Sequence, residues 1–141
     1  MKYNWEQPDW LQFNYDVSSV EDLLYAFLEK VGQIRGLLQG LPAPSQEEAM
    51  IEVLISEAIK TSEIENEYLS REDVAFSIRN NLSLAHPQKK VRDPRAEGLG
   101  RLMTEVRQTY QETLSKRKLM KWHRFLLPNR TDIKVGAWRS D

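Results

Sequence analysis

The chain has 141 residues and a formal net charge of -1, which is enough sequence for one domain with a buried core. It contains no cysteine, so disulfides and thiolate metal sites are excluded, and this composition suits a reducing compartment. The apolar runs, such as residues 23–28, are too short to cross a bilayer, and the N-terminus lacks a signal-peptide pattern. We therefore expect a soluble cytoplasmic protein.

Charge is unevenly distributed along the chain. Residues 1–83 carry 6 Lys and Arg against 15 Asp and Glu, whereas residues 84–141 carry 14 against 6. Such asymmetry indicates either a basic surface for nucleic acid or phosphates, or two parts of one fold that attract each other. The basic residues 116–118 are consecutive, so their side chains lie on different faces of a predicted helix and form no single basic surface. We therefore do not expect nucleic-acid binding. Only His86 and His123 are available as histidine ligands, without metal-site spacing, and we predict no metal site.

Apolar residues at helical spacing predict a first long helix. Ser18 followed by Glu21 forms a capping box at its start, and Gly40 followed by Pro42 marks its end. The wide apolar stripe favours a helix packed in a core over a coiled coil. Its members are Val20, Leu23, Leu24, Phe27, Leu28, Val31, Ile34, Leu37 and Leu38.

Two further helices are predicted before residue 83. The second begins at Ser45 with Glu48, and the third begins at Ser70 with Asp73, by the same capping pattern. Glu65 and Asn66 then lie at the C-terminal end of the second helix. The predicted buried faces are Met50, Val53, Leu54, Ala58 and Ile59 in the second helix, and Val74, Ile78 and Leu82 in the third.

The polar segment 86–92 predicts a linker between an N-terminal helical domain, residues 1–85, and a second part, residues 93–141. Asp93 as N-cap and Pro94 in the first turn start a fourth helix. In that helix Gly98 and Gly100 would let another backbone come close. A fifth helix is predicted over 116–127, and 133–138 is the one predicted strand. The expected fold is all-α, a helical bundle with a single C-terminal β-strand.

The segment 61–66, at the end of the second predicted helix, is the strongest candidate for a functional motif. Without context Glu65 would be a solvent-exposed carboxylate, and Asn66, which tolerates a left-handed backbone, would close the helix. Thr61, Glu65 and Asn66 also fill the fixed positions of a known pattern: Ser or Thr, any three residues, Glu, then Gly or Asn. This pattern resembles the inhibitory motif of Fic-domain proteins, a family that transfers AMP from ATP to protein hydroxyls.

Other segments extend the resemblance to most of the chain. The opening YNWEQPDW (3–10), the KTS run before the motif and the Val-x-x-Ser-Ile pattern after it are similar to a bacterial Fic subfamily with an N-terminal helical region. Trp122-His123-x-x-Leu126 and the run 135–139 resemble the two landmarks before the flap that docks the target. The resemblance implies that Gly136, Trp138 and Arg139 belong to this flap region. The predicted strand would be half of the flap hairpin.

The catalytic signature of the family, His-Pro-Phe-x-x-Gly-Asn-Gly-Arg, occurs nowhere in the sequence. The resemblance therefore implies the regulatory front part of a Fic protein, truncated at Asp141 before its catalytic motif and without catalytic residues of its own. Residues 1–85 would be the N-terminal helical domain that carries the inhibitory motif, and residues 93–141 would be the incomplete start of the Fic core. ATP with Mg would be the cofactor of the full-length enzyme. We expect no cofactor for this chain alone.

The resemblance gives Glu65 a role. In such enzymes the inhibitory Glu pairs with the arginine that otherwise holds the γ-phosphate of ATP, so the α-phosphate is not aligned for attack. The expected partner is a catalytic Fic core, in cis in a longer chain or in trans, and the protein target is unknown. Two alternatives stay open: a stand-alone antitoxin-like inhibitor, or a helical adaptor whose N-terminal region binds targets or forms homodimers.

Overall fold

A computed structural model describes residues 2–12, 15–84 and 90–138. All regular structure in this part of the chain is helical, which confirms the expected all-α class. Two 3₁₀ turns, Asn4–Glu6 and Ser18–Val20, precede five α-helices: α1 Glu21–Gln39, α2 Ala43–Ile64, α3 Arg71–Asn81, α4 Pro94–Thr109 and α5 Lys116–Leu126. None of the helices in the described residues has the length and apolar content to span a membrane.

The chain divides into two compact units, residues 1–42 and 43–141. The segment predicted as a linker, 86–92, falls inside the second unit; its residues 86–89 lie outside the described ones. At its end, Val91 packs against the core, and the backbone N–H of Arg92 donates to Asp73. The compact units therefore do not divide where the predicted parts do, and the assignment of 1–85 and 93–141 as family domains stays a prediction.

The first unit contains α1, whose predicted end at Gly40 is confirmed, whereas the helix begins at Glu21, after the 3₁₀ turn Ser18–Val20. The predicted capping box at Ser18 is not formed: the hydroxyl and the backbone N–H of Ser18 donate to Asp16 Oδ1 at 2.7 and 2.9 Å. These hydrogen bonds lower the pKa of Asp16. The prediction that the apolar stripe of α1 lies in a core is wrong, since no residue of α1 is buried and the side chain of Phe27 is 64% exposed.

The core of the second unit is formed where α2, α3 and α4 meet. The predicted buried face and Ser70 cap of α3 are confirmed, because Val74 and Ile78 are fully buried and Ser70 accepts the helix-capping hydrogen bond from the Asp73 N–H. The Asp73 carboxylate does not complete the capping box, since it accepts from the N–H groups of Arg92 and Asp93. The buried face of α2 differs from the predicted one by about one residue. Val53, which the sequence predicts to be buried, is 62% exposed. The core consists of Ile51, Leu54, Ile55, Ala58, Val74, Ile78, Ala96 and Leu99.

Ion pairs on the surface join α2 to α3. Arg71 Nη2 lies 2.6 Å from Glu52 Oε2, and Arg79 pairs with Glu48. Glu48 therefore holds α3 rather than capping α2, which begins at Ala43, two residues before the predicted start. The Arg79 side chain, hydrogen-bonded to Glu48, lowers the pKa of that carboxyl.

Two glycines bring α4 close to both of its neighbours, as the sequence predicts. A Cβ at Gly98 would collide with the backbone carbonyl of Phe125 in α5. A Cβ at Gly100 would collide with the side chain of Ser77 in α3. The Ser77 hydroxyl donates to the Glu97 carbonyl at 2.9 Å, so a polar contact accompanies the close approach.

The predicted strand over 133–138 is not formed in the described residues, which make turns there. Gly136 is buried with φ +68°, a left-handed backbone that favours glycine. Its N–H donates to His123 Nδ1 at 2.8 Å, and its carbonyl accepts from Arg124 Nη2 at 3.0 Å. The backbone N–H and carbonyl of Gly136, which a strand could offer to a neighbouring strand, are thus used by two side chains of α5.

Candidate functional site

The backbone around the motif 61–66 forms a helix terminus with a defined geometry. Asn66 adopts φ +60°, the left-handed conformation predicted for it. The N–H of Glu67 donates to the Ser62 carbonyl at 2.8 Å, and the N–H of Asn66 donates to the Glu63 carbonyl at 3.1 Å. These two bonds form a Schellman motif, which satisfies carbonyls at the end of α2. The requirement for Gly or Asn at this position of the pattern therefore has a backbone cause.

We predict that Asn66→Ala destabilises the second unit by about 1 kcal/mol, because a Cβ without a polar group disfavours the left-handed conformation. Asn66→Gly is the matched control and should stay within a few tenths of 1 kcal/mol of the unchanged protein. Urea unfolding followed by circular dichroism measures both variants. Equal losses for alanine and glycine would show that the side-chain amide, not the backbone angle, matters.

The Glu65 side chain is exposed at the end of α2. Its backbone N–H donates to the carbonyls of Thr61 and Ser62 at 3.3 and 3.1 Å, but among the described residues its carboxylate forms no ion pair or hydrogen bond. Thr61, one turn earlier, is also exposed, whereas the side chain of Ser62 is buried within the second unit. The motif thus presents Thr61 and Glu65 to the outside and uses Ser62 for packing.

A cleft of about 540 Å³ lies beside the motif, within the second unit. Its apolar wall comes from α4 and the end of α5, and its rim carries several charged side chains. Thr61, Ser62 and Glu65 line it from the α2 side. The other lining residues are Glu67, Leu69, Asp93, Pro94, Arg95, Leu99, Leu102, Leu126, Leu127, Pro128, Asn129 and Arg130.

The charges on the rim are mostly paired with each other. Arg95 lies 2.6 Å from Glu67 Oε2 and 2.8 Å from Asp93 Oδ2, and its hydrogen bonds lower the pKa of Asp93. Arg130 pairs with Asp132 at 2.6 Å and lowers the pKa of that carboxyl to about 2. Both arginines are therefore committed to acids of the same chain. Glu65 is the acid of this rim without such a partner in the described part of the chain.

The start of α4 is fixed at the same rim. As predicted, Asp93 is the N-cap, with Oδ1 accepting from the Arg95 N–H at 2.9 Å, and Pro94 follows in the first turn. The N–H groups of Arg92 and Asp93 donate to the carboxylate of Asp73, which is only 7% exposed. One carboxylate of α3 thus holds the chain where it enters α4 and the cleft.

The described residues predicted for the flap do not line the cleft beside the motif. Gly136 is held by His123 and Arg124, as described above, and Trp138 is 59% exposed. Arg139 lies outside the described residues. The structure groups Thr61 and Glu65 at one cleft, and Gly136 and Trp138 do not line it.

Sequence reasoning missed the residues that complete the cleft. Arg95 and Arg130 carry no local motif, and their pairing with Glu67 and Asp132 becomes visible only in the folded chain. The sequence does carry a signal for the wall, because Leu99 and Leu102 are apolar residues at helical spacing in α4. The spacing of these residues could not predict which part of this apolar stripe would line a cleft and which part would be packed in the core.

Residues 3–84 match a family model described as Domain of unknown function (DUF4172). The match covers more than half of the chain, and the protein belongs to this helical family. The matched region includes α1, α2 and α3 and the motif 61–66, and it ends before α4. No curated protein matches the chain.

Proposed function

We propose that this chain is the regulatory N-terminal part of a self-inhibited Fic protein AMP-transferase, with Glu65 blocking productive binding of the ATP γ-phosphate. The observation that carries the proposal is the uncommitted carboxylate of Glu65. Among the described residues it has no partner, although Glu67 and Asp93 on the same rim are both paired with Arg95. An exposed acid at a fixed helix end beside an apolar cleft suits a cation supplied by another part of a protein.

The chemistry of the cleft favours a guanidinium over a nucleotide. Its rim carries the carboxylates of Glu65, Glu67 and Asp93, which would repel a triphosphate. Arg95 and Arg130, the two arginines there, are already paired with acids. These residues do not fit an ATP–magnesium site. We therefore assign ATP and its metal to a catalytic Fic core and derive no step through them on this chain.

In this proposal Glu65 accepts two parallel hydrogen bonds from an arginine of the catalytic core. Glu65 then occupies the arginine donors that the γ-phosphate needs, so ATP lies in a position from which the target hydroxyl cannot attack in line. Asn66 turns the chain directly after Glu65 and so keeps the carboxylate at the end of α2. Thr61 lies one turn earlier on the surface that would face the core.

The test is a labelling assay with a Fic AMP-transferase whose own inhibitory glutamate has been replaced by glycine. We expect the intact chain, added in trans or joined in front of the enzyme in one polypeptide, to suppress transfer of labelled AMP. Glu65→Gly should relieve suppression about tenfold or more, because hydrogen bonds to charged groups contribute about 1.5–3 kcal/mol.

Glu63→Gln is the matched control, since Glu63 is paired with Lys60 at 2.7 Å and should not take part. Circular dichroism spectra that match the unchanged protein exclude unfolding of either variant. If labelling with Glu65→Gly equals labelling with the unchanged chain in both formats, the proposal is wrong.

If the chain is a separate inhibitor that acts in trans, it uses the same carboxylate. Comparing the chain added in trans with the joined polypeptide distinguishes this arrangement from action in cis. Suppression only in the joined polypeptide supports action in cis. A role as an interaction module without Fic chemistry draws on a different feature, the exposed apolar stripe of α1.

A further inference from the structure

The apolar stripe of α1 contains a regular seam. Six of its positions alternate in steps of four and three residues, which is the heptad spacing that lets two helices pack side by side. The remaining apolar residues of the stripe, Leu23, Leu28 and Leu37, flank the seam. The six seam residues are Val20, Leu24, Phe27, Val31, Ile34 and Leu38.

The described residues of the first unit leave this seam exposed. Among its regular elements, the 3₁₀ turn Ser18–Val20 packs against α1, at the N-terminal end of the helix. Phe27 and Ile34, in the middle of the helix, are 64% and 58% exposed, and no residue of α1 is buried. So large an exposed apolar surface marks an interaction site.

We infer that α1 pairs with α1 of a second copy of this chain in an antiparallel, two-fold symmetric dimer. The seam is self-complementary in that direction, because its six positions are symmetric about residue 29, close to the middle of the helix. Each seam residue then meets an apolar residue of the second copy. The pairs are Val20 with Leu38, Leu24 with Ile34, and Phe27 with Val31.

Charges beside the seam select the antiparallel direction. In an antiparallel pair Glu21 of each copy meets Arg35 of the other, which gives two attractive contacts, and one Lys30–Lys30 contact remains at the axis. In a parallel pair Lys30 of each copy would meet Arg35 of the other. Both of those contacts are between like charges, which favours the antiparallel arrangement.

Crosslinking of the full chain tests both the pairing and its direction. The protein has no cysteine, so a single introduced thiol reacts alone. In the antiparallel dimer Leu28→Cys lies beside its own counterpart near the axis, and a short bismaleimide should join the two copies. The thiols of Leu38→Cys would lie about 27 Å apart along the helices and should not be joined. A mixture of Val20→Cys and Leu38→Cys should give a crosslinked heterodimer.

Light scattering and sedimentation over a wide concentration range measure the strength of the pairing. We expect a dimer that dissociates on dilution, because one helix pair buries less than a standard interface of about 1,600 Å². Phe27→Glu should raise the dissociation constant more than about 100-fold. Gln33→Glu, on the opposite face of α1, is the control and should leave it unchanged.

Exchanging the charges of Glu21 and Arg35 tests whether the dimer is the inferred antiparallel one. Arg35→Glu should weaken pairing about tenfold, since two attractive contacts become repulsive, and adding Glu21→Lys in the same chain should restore it. A protein that stays monomeric at every concentration, efficient crosslinking of Leu38→Cys alone, or dimers insensitive to Phe27→Glu would overturn the inference. None of these readouts depends on AMP transfer, so failure here leaves the proposed function of Glu65 untouched.

Discussion

Gly98→Ala is expected to separate α4 from α5 and to destabilise the second unit by about 3 kcal/mol. The added Cβ would collide with the backbone carbonyl of Phe125, and a backbone carbonyl cannot move aside as a flexible side chain can. The helices must therefore shift apart, and the packing of Leu126 and Leu127 on the cleft wall shifts with them. Urea unfolding followed by circular dichroism measures the loss as a lower midpoint at unchanged slope.

The same substitution elsewhere gives the opposite sign and serves as the control. A Cβ at Gly36, in α1, would meet nothing within 4 Å. Gly36→Ala should therefore stabilise α1 by up to about 1 kcal/mol, because alanine is the better helix former. Unfolding of Gly98→Ala at the same urea concentration as the unchanged protein would contradict the close packing of α4 on α5.

Asp73→Ala is expected to cost about 3 kcal/mol, because it removes the acceptor of the Arg92 and Asp93 backbone N–H groups. Both donors would then be left without a partner in a part-buried site. Asp73→Asn keeps one carbonyl oxygen and should lose about half as much. Asp132→Ala is the control: that exposed acid pairs with Arg130 and should change stability by less than about 1 kcal/mol.

Asp73→Ala also tests how the cleft is built. If Asp73 holds the entry to α4, its removal should loosen Asp93 and Arg95 at the rim as well as lower the unfolding midpoint. Increased cleavage of the Arg95 peptide bond by trypsin under native conditions measures this loosening. An unfolding midpoint lowered as predicted with unchanged cleavage at Arg95 would show that Asp73 stabilises the core alone.

Features set by neighbouring residues could be predicted from the sequence. Ser70 and Asp93 cap their helices as expected, because a cap depends only on the side chain and the next turn. The left-handed Asn66 follows from the same local chemistry. The motif 61–66 could likewise be placed at a helix end without knowledge of the fold.

Features that depend on distant residues could not be predicted. The buried face of α2 contains Ile51 and Ile55 rather than Val53, because spacing alone leaves a helix face uncertain by about one residue. The sequence predicts that the stripe of α1 lies in a core, although the described residues of its own unit leave it exposed. The expected strand needs a partner strand, and in its place His123 and Arg124 hold Gly136 in a turn.

The close approach of α4 to both neighbours has a consequence for amide hydrogen exchange. Since Gly98 lies against the backbone of Phe125 and Gly100 against Ser77, α4 cannot open while α3 and α5 stay in place. Its amides should exchange only when the whole second unit opens, at a rate that reports global stability. Amides of α1, with no buried side chain to hold the helix, should exchange by local opening and much faster.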